Sequence, residues 1–325
     1  MRKKGLLHRI YHPSVFQGQN KQRNYFEGWY FKLVDPEGKH IWSVIPGISY
    51  SEDSHSFIQL IHANTGETRY IRFSLNDFSY EMDKFSIQIG PNRFSDTQLV
   101  LDLDSENLHI QGEISIGQIQ RFPVSLLSPG IMGWYAYVPF MECYHGVVSM
   151  QHDLSGHLII NGSPVYFDGG RGYIEKDWGK SMPSDWIWMQ SNHFEQNGRA
   201  SFMLSVARIP WLRGYFPGFL SFLQVEDNLY RFATYNRSQV KMLRESEHQV
   251  DLVLANKKFT LEVSAMKQEG GLLKAPKQGS MERHIKESIL STLDLELKNQ
   301  KGEVLFSGRG RFAGLEIVGN MEQYY

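Results

Sequence analysis

Leu293-Asp294-Leu295-Glu296-Leu297 alternates apolar and charged side chains with a period of two residues. The same alternation recurs from Phe85 to Ile89 and from Leu99 to Leu103. A period of two places one face of an extended strand in a core and the other in water. The chain is therefore predicted to be all-β, and its 325 residues are enough for two domains.

Short turn signals separate the predicted strands, as expected for the hairpins of an antiparallel meander. They are Asp35-Pro36-Glu37-Gly38, Gly90-Pro91-Asn92, Asn197-Gly198 and Gln300-Lys301-Gly302. Strands do not alternate with amphipathic helices, so a doubly wound α/β fold is not expected. One short helix is predicted from Met281 to Leu290. The segment Pro210 to Leu220 is predicted to be an apolar loop, either a lid or lipid-contacting mouth, or part of the core.

The two halves of the chain resemble each other at a nearly constant offset, which indicates internal duplication. Trp29 to Lys32 and then Ile41 to Val44 parallel Trp188 to Gln190 and then Ser201 to Leu204. Each half predicts a lipocalin-like antiparallel barrel or curved sheet, and a barrel of about eight strands can hold one small ligand. The predicted domains are 1–160 and 161–325. Turn signals at Asp153-Leu154-Ser155-Gly156 and Asn161-Gly162-Ser163-Pro164 suggest that boundary.

Composition narrows the classes of function. Aromatic residues make up 13% of the chain, which favours a β protein with an apolar pocket. The formal net charge of -1 argues against nucleic-acid binding. The single cysteine, Cys143, excludes an internal disulfide and fits a reducing compartment. The apolar run Leu6-Leu7 is too short for a signal peptide, so we predict a cytoplasmic protein, with transient contact to a membrane surface left open.

The segment from Gly172 to Trp188 carries three tryptophans, three carboxylates and two lysines. A carboxylic acid beside indole rings is poorly solvated and tends to keep its proton. Indole faces also stabilise cations by about 0.5–2 kcal/mol. Glu175 and Asp177 are therefore candidate acids, with Glu27 as a further carboxylate from the matching segment of the first half. Each of them could instead be a solvated charge beside a core tryptophan.

Two proton-transfer candidates lie between Val138 and Gly146. Tyr144 and His145 can both move protons, and His145 could act as a general base near neutral pH, although a strand that alternates core and surface residues is the simpler interpretation of the segment. The spacing of His145, His152 and His157 matches no strong metal signature, so no metal is predicted. The sequence has no phosphate-binding loop, nucleophile elbow or zinc-protease motif.

Five segments together resemble the tocopherol cyclase family, in the order of that family and across nearly the whole chain. They are 26–32, 137–143, 172–180, 183–188 and 313–316. The resemblance implies two lipocalin-like β domains, related to those of carotenoid hydratases, and a reaction without a cofactor. In that reaction the alkene of a prenylated hydroquinone takes a proton, a tertiary cation forms, and the phenol oxygen traps it to give a chromanol. The plant members act in plastids.

The resemblance and the residue chemistry coincide at Asp177, which we predict to be the proton donor. Glu27 or Glu175 is its predicted partner or alternative, and Tyr144 or His145 would accept the phenol proton. Four tryptophans are predicted to shape the apolar cavity and shield the cation: Trp29, Trp178, Trp186 and Trp188. Two other functions stay open. One is a carrier that binds a quinone or isoprenoid without reaction, and the other is an interaction protein with a filled core.

Overall fold

The computed structural model describes residues 5–195 and 199–325, and within them the chain is almost entirely β-strand. It forms two compact units. The first comprises Met1–Met182 and Leu273–His284, and the second comprises Pro183–Leu272 and Ile285–Tyr325. Within the described residues, no helix is long and apolar enough to cross a membrane.

The first unit is built on a twelve-stranded antiparallel sheet. Its elements in chain order are α1 (Leu6–Tyr11), β1 (Tyr25–Val34), β2 (Ile41–Tyr50), β3 (His55–His62), β4 (Glu67–Phe73), β5 (Phe78–Tyr80), β6 (Ser86–Ile89), β7 (Asn92–Ser95), β8 (Gln98–Ser105), β9 (Leu108–Gln120), a separate ribbon of β10 (Val124–Ser125) and β11 (Ser128–Pro129), β12 (Cys143–Ile160), β13 (Ser163–Tyr166) and β14 (Gly170–Gly179). Short 3-10 helices lie at Leu75–Asp77 and Gly133–Tyr137. The strand order is β4-β3-β2-β1-β14-β12-β9-β8-β7-β6-β5, with β13 paired to β12.

The sheet of the first unit curves around one hydrophobic core. Alternate residues of β1, from Trp29 to Leu33, point into it, as do Ile87, Ile89 and Leu99. The period-two strands predicted from these positions are confirmed. Burial of a side chain of this size stabilises the fold by about 1.5–3 kcal/mol, so the alternation supplies the main driving force for closing the sheet.

The second unit is built on an eleven-stranded sheet. The strands of this sheet are β15 (Trp186–Ser191), β16 (His193–Phe194), β17 (Ala200–Trp211), β18 (Gly214–Val225), β19 (Asn228–Ala233), β20 (Gln239–Glu245), β21 (Gln249–Ala255), β22 (Phe259–Met266), β23 (Gly271–Lys277), β24 (Ser280–Asn299) and β25 (Val304–Val318). Most of β23 and the start of β24 fall within Leu273–His284 and so belong to the first unit. Short 3-10 helices lie at Thr234–Asn236 and Glu322–Tyr324. The order is β19-β18-β17-β15-β25-β24-β22-β21-β20, with β16 paired to β25 and β23 to β24.

Both sheets share one pattern of strand order. In the first sheet the four-strand meander β4-β3-β2-β1 lies beside β14, and β14 lies beside the long strand β12. In the second sheet the four strands β19-β18-β17-β15 lie beside β25, and β25 lies beside the long strand β24. The predicted all-β fold class is confirmed, while internal duplication stays a prediction. The observed units divide at Met182/Pro183 rather than at 160/161, because β13 and β14 pair with β12 and β1 of the first unit.

Three local predictions were wrong. The predicted helix from Met281 to Leu290 lies within β24, where buried side chains recur at every second residue from Ile285 onward. The predicted loop from Pro210 to Leu220 is a hairpin of β17 and β18. The predicted turn at Asp153-Leu154-Ser155-Gly156 lies inside β12, which runs on through β-bulges.

Three of the predicted hairpin turns are confirmed. Those at Asp35-Pro36-Glu37-Gly38, Gly90-Pro91-Asn92 and Gln300-Lys301-Gly302 connect β1 to β2, β6 to β7 and β24 to β25. At Asn161-Gly162-Ser163-Pro164 the turn occupies the first two residues, and β13 starts at the third. The turn predicted at Asn197-Gly198 lies outside the described residues.

Candidate active site

Strand β14 divides the predicted site residues between the two faces of the first unit's sheet. Successive side chains of a strand point to opposite faces, so Glu175 and Asp177 lie on one face and Lys176 and Trp178 on the other. The Tyr173 hydroxyl donates to Glu175 over 2.6 Å, and the Lys176 ammonium lies 4.7 Å from the centre of the Trp178 ring. These contacts agree with the division.

The face that carries Lys176 is the core face. Trp29 lies opposite Lys176 in the pairing of β1 with β14, and Trp29 belongs to the hydrophobic core. Glu27 lies two residues earlier on β1 and therefore points to the same side. Its Oε1 lies 2.5 Å from Lys176 Nζ, and both side chains are fully buried. Glu27 is thus a member of an internal ion pair and does not share a face with Asp177.

Residues 13–18, the N-terminal strap, cover this ion pair. Lys176 donates to the carbonyls of Pro13 (2.8 Å) and Val15 (2.5 Å). Glu27 accepts from three donors outside the pair: Gln17 N at 2.9 Å, Gly18 N at 2.9 Å and the Tyr25 hydroxyl at 2.5 Å. The charge pair therefore fastens the strap to the sheet, and the predicted role of Glu27 as an acid beside Asp177 does not fit this placement.

Burial lowers the pKa of Lys176 from its usual 10.5 to about 8, although the Glu27 carboxylate raises it. The folded chain therefore binds fewer protons at Lys176 than the unfolded chain between about pH 8 and 10.5. Stability rises with pH wherever the unfolded state binds more protons. We expect the gap in unfolding free energy between the parent and Lys176→Met to widen from pH 8 to 10, as measured by urea unfolding. A gap that narrows over this range would contradict the assignment.

The opposite, outer face carries an imidazole between two carboxylates. His145 of β12 lies directly across from Asp177. Its Nδ1 is 2.9 Å from Asp177 Oδ1, and its Nε2 is 3.5 Å from Glu175 Oε2. We call these three residues the His145 cluster. Sequence reasoning named all three, and the structure brings them together.

Within the His145 cluster, Asp177 is the residue that a ligand can reach. Its side chain is 25% exposed, against 10% for His145 and 5% for Glu175. Burial, and then the Glu175 carboxylate, raise the pKa of Tyr173, so its hydroxyl stays protonated and donates to Glu175. Burial and then Asp177 raise the pKa of Cys143, whose sulfur lies 3.8 Å from Asp177. Cys143 is therefore a neutral thiol rather than a nucleophile.

The cluster is suited to holding and passing a proton. The imidazole can take up or release a proton near neutral pH, its Nδ1 is hydrogen-bonded to Asp177, and its Nε2 faces the Glu175 carboxylate at 3.5 Å. The three residues also bring one ligand atom each within 4.8 Å of the others, as a metal site would. However, His145 turns a different nitrogen towards each carboxylate, whereas a metal ligand offers one nitrogen to a common point. The absence of a metal stays a prediction.

The other two histidines of β12 do not join the cluster. His152 is buried and lies 2.9 Å from the Ser149 hydroxyl through Nδ1, and burial lowers the pKa of His152 to about 3. The His157 ring contacts the Tyr166 ring, with centroids 5.6 Å apart. His152 is therefore a neutral core residue, and His157 packs against its neighbouring strand.

Tyr144 and two of the predicted tryptophans lie on the core-face side. Tyr144 pairs with Trp178 across β12 and β14, their rings stack with centroids 5.6 Å apart, and the Tyr144 hydroxyl donates to Val138 O. Trp29 is fully buried and stacks on Phe85 at 5.7 Å. Tyr144 is thus not placed to accept a proton beside Asp177. Trp29 packs in the core rather than beside the His145 cluster.

The chain matches one family model and relatives of known name. The family model described as "Tocopherol cyclase-like" covers residues 102–319, which include β12, β14 and the whole His145 cluster. The chain belongs to the tocopherol cyclase-like family. A relative from Oryza sativa subsp. japonica, named "Probable tocopherol cyclase, chloroplastic", is 26% identical over 198 residues. That match covers 58% of this chain and 42% of the rice protein, so the chain spans less than half the length of this relative.

Solved structures show the same fold. CghA in complex with Sch210972 aligns with a TM-score of 0.56 and 11% identity, over 91% of this chain and 89% of the other. Kievitone hydratase from Nectria haematococca aligns with a TM-score of 0.51 and 12% identity, over 93% of each chain. At such identities the likeness concerns the fold alone. Cytoplasmic localisation stays a prediction, because the name of the rice relative places that protein in the chloroplast.

In the second unit of this tocopherol cyclase-like protein, Trp186 and Trp188 point away from the core. Their neighbours Ile187 and Met189 lie in it. Trp186 Nε1 donates to Glu316 Oε2 over 2.6 Å, and Glu316 lies across from Trp188. Both tryptophans are therefore buried on the outer face of their own sheet, beside a carboxylate.

Sequence reasoning missed a pair of acids in this second unit. Glu287 of β24 lies across from Glu316 of β25, and both are buried. Glu316 is the last residue of the segment 313–316 that carries the family resemblance, but no function is predicted for it from the sequence. Glu287 occupies an apolar position of the period-two pattern of β24, between Ile285 and Ile289. A carboxylate at a buried position of a strand was the available signal.

The second unit also contains a groove of about 590 Å³. Its lining includes Arg244, Asp251, Asp294 and Arg309. Arg309 and Asp294 are paired at 2.7 Å. None of the predicted site residues lines this groove, and its charged walls do not suit an apolar chain.

Proposed function

We propose that the protein is a cofactor-independent cyclase that closes a prenylated benzoquinol to a chromanol. Membership of the tocopherol cyclase-like family supports an enzyme of this type. The observation that carries the proposal is the His145 cluster, an imidazole held between two carboxylates on a buried sheet face. Acid catalysis of ring closure needs a proton source with limited access to water, and the cluster supplies one.

Asp177 delivers the proton, because it is the most exposed member of the cluster. His145 lies 2.9 Å away and returns a proton to Asp177 for the next turnover. The proton adds to the less substituted carbon of the prenyl double bond, and a tertiary cation forms on the other carbon. The phenol oxygen then bonds to that cation and loses its own proton to the cluster. One C–H and one C–O bond form while the C=C π bond and one O–H bond break. The reaction is an isomerisation and needs no oxidant or reductant.

Glu175 has a supporting role in this scheme. Its carboxylate accepts from Tyr173 and faces the second nitrogen of His145, so it stabilises positive charge on the imidazole after a proton arrives there. Negative charge close to the reacting centre also stabilises the cationic intermediate, and it does so more strongly in a buried site than in water. Of the two predicted acceptors of the phenol proton, Tyr144 and His145, this scheme uses His145.

Asp177→Asn is expected to lower the rate of chromanol formation by about 10²–10⁴-fold, the usual contribution of a positioned acid. The purified protein would be incubated anaerobically with a phytylated benzoquinol. Because cyclisation leaves the mass unchanged, the product would be followed by chromatographic retention and by resistance to oxidation. Asp104→Asn is the matched control, since Asp104 forms the same contact with His109, also at 2.9 Å, but on the exposed surface.

Full turnover by Asp177→Asn would show that Asp177 is not the acid. If the parent bound the quinol saturably but formed no product, the protein would be a carrier of apolar ligands and not a cyclase. Chelation with EDTA is expected to leave the rate unchanged. A rate that falls with EDTA and recovers with zinc would instead make the His145 cluster a metal site.

A further inference from the structure

The first unit exposes a run of apolar side chains just ahead of β12. From Phe122 to Met141 the sequence has no Asp, Glu, Lys, Arg or His. Six large apolar side chains of this run are exposed, and we call them the apolar surface: Val124, Leu126, Leu127, Trp134, Tyr137 and Phe140. Leu127 is 85% exposed and Phe140 is 98% exposed. A patch of this kind marks an interaction site, because water solvates it poorly.

The local backbone holds these side chains outwards. Leu126 and Leu127 form the tip of the β10–β11 ribbon. The Tyr137 hydroxyl donates to Leu126 O at 2.5 Å and so ties the ribbon to the 3-10 helix Gly133–Tyr137. Phe140 has φ at +67°, which is uncommon for a bulky residue. The apolar surface is thus a set of protruding tips rather than a flat face.

A basic segment lies beside the apolar surface. The described part of this segment, residues 5–26, contains no Asp or Glu and three Lys or Arg: Arg9, Lys21 and Arg23. Within this segment Tyr11, the last residue of α1, packs edge-on against Tyr137, with ring centroids 6.3 Å apart. Lys21 and Arg23 are exposed. A segment with only basic charges that contacts a set of protruding apolar tips through Tyr11 is complementary to an anionic bilayer surface.

We propose that the apolar surface docks on an anionic lipid bilayer. Leu126, Leu127 and Phe140 enter the boundary of the acyl chains, Trp134 and Tyr137 lie at the headgroup level, and the basic segment contacts the headgroups. Protruding tips fit a fluid bilayer, whereas a stable interface with a second copy needs a broad complementary face.

The strand that carries His145 follows the docking surface directly in the chain. The apolar surface ends at Phe140, and β12 begins at Cys143, two residues before His145. A substrate with a prenyl chain resides in a bilayer, so docking here would bring the His145 cluster to its substrate. That last link rests on the proposed function, while the docking itself does not.

The test is sedimentation of the full chain with vesicles of phosphatidylcholine, with and without phosphatidylglycerol, in the absence of substrate. The parent is expected to bind the anionic vesicles and to be released by high salt. Leu126→Ser/Leu127→Ser is expected to bind at least tenfold more weakly, because two inserted side chains are lost. Val304→Ser/Leu305→Ser is the matched control, since both side chains are exposed but neighbour Lys301 and Glu303. The control is expected to bind as the parent does.

Equal binding by the Leu126→Ser/Leu127→Ser variant and the parent would overturn the proposal, as would a parent that binds neither kind of vesicle. Light scattering would measure the oligomeric state of the parent and of the variant. A parent dimer that Leu126→Ser/Leu127→Ser converts to a monomer would show that a second copy covers the surface instead of lipid. Because no substrate is present, the outcome is independent of whether chromanol forms. Vesicle binding by a protein without cyclase activity would retain the docking surface and reject only the proposed function.

Discussion

Replacing Lys176 by methionine is expected to lower the free energy of unfolding by about 3–5 kcal/mol. Lys176 and Glu27 are both fully buried, with 2.5 Å between the ammonium and the carboxylate. Removal of the lysine leaves the Glu27 charge inside the fold without its counter-charge. The carbonyls of Pro13 and Val15 lose their donor as well. Urea unfolding at pH 7, followed by tryptophan fluorescence, measures the loss.

The double variant Lys176→Met/Glu27→Leu separates the charge effect from packing. A buried ion pair that is replaced on both sides by apolar residues costs far less than a pair broken on one side. We therefore expect the double variant to recover part of the stability lost in the single variant. Lys39→Met is the control, because Lys39 pairs with Glu37 on the exposed surface, where water screens the attraction and such pairs contribute little to stability. A loss in Lys176→Met no larger than that of the control would show that the strap is not held by this pair.

The Glu27–Lys176 pair also shows where sequence reasoning stopped. Acidic and aromatic residues at both positions predicted functional segments, and the segments do pair, as β1 and β14. A shift of one residue in register, however, moves every side chain to the other face of a sheet. The sequence did not fix that register, so Glu27 was grouped with Asp177 although the two lie on opposite faces.

An ambiguous spacing of apolar residues explains why a helix is predicted at 281–290. Met281, Ile285 and Ile289 are spaced by four residues, which satisfies both a helical repeat and a strand repeat of two. In the structure they are buried positions of the long strand β24. The strands with strict alternation, such as Leu99 to Leu103, were unambiguous because the intervening residues fit no helical face.

The His145 cluster was predictable residue by residue but not as a unit. Glu175 and Asp177 lie two residues apart, a spacing that puts both side chains on one face once the segment is a strand. His145 lies on β12, more than thirty residues away, and only the pairing of β12 with β14 brings it to Asp177. Long-range pairing of this kind depends on packing of the whole sheet, which local patterns do not encode.

His145→Gln and Asp177→Asn are expected to reduce the rate of chromanol formation by similar factors of about 10²–10⁴, and the double variant to be scarcely slower than either single one. The reason is that the two side chains handle one proton across one contact of 2.9 Å. Residues that act as a unit show strongly non-additive effects. The measurement is single-turnover chromanol formation by the four proteins of the cycle, with His157→Gln as a histidine control on the same strand. Effects that multiply across the cycle would contradict a shared proton.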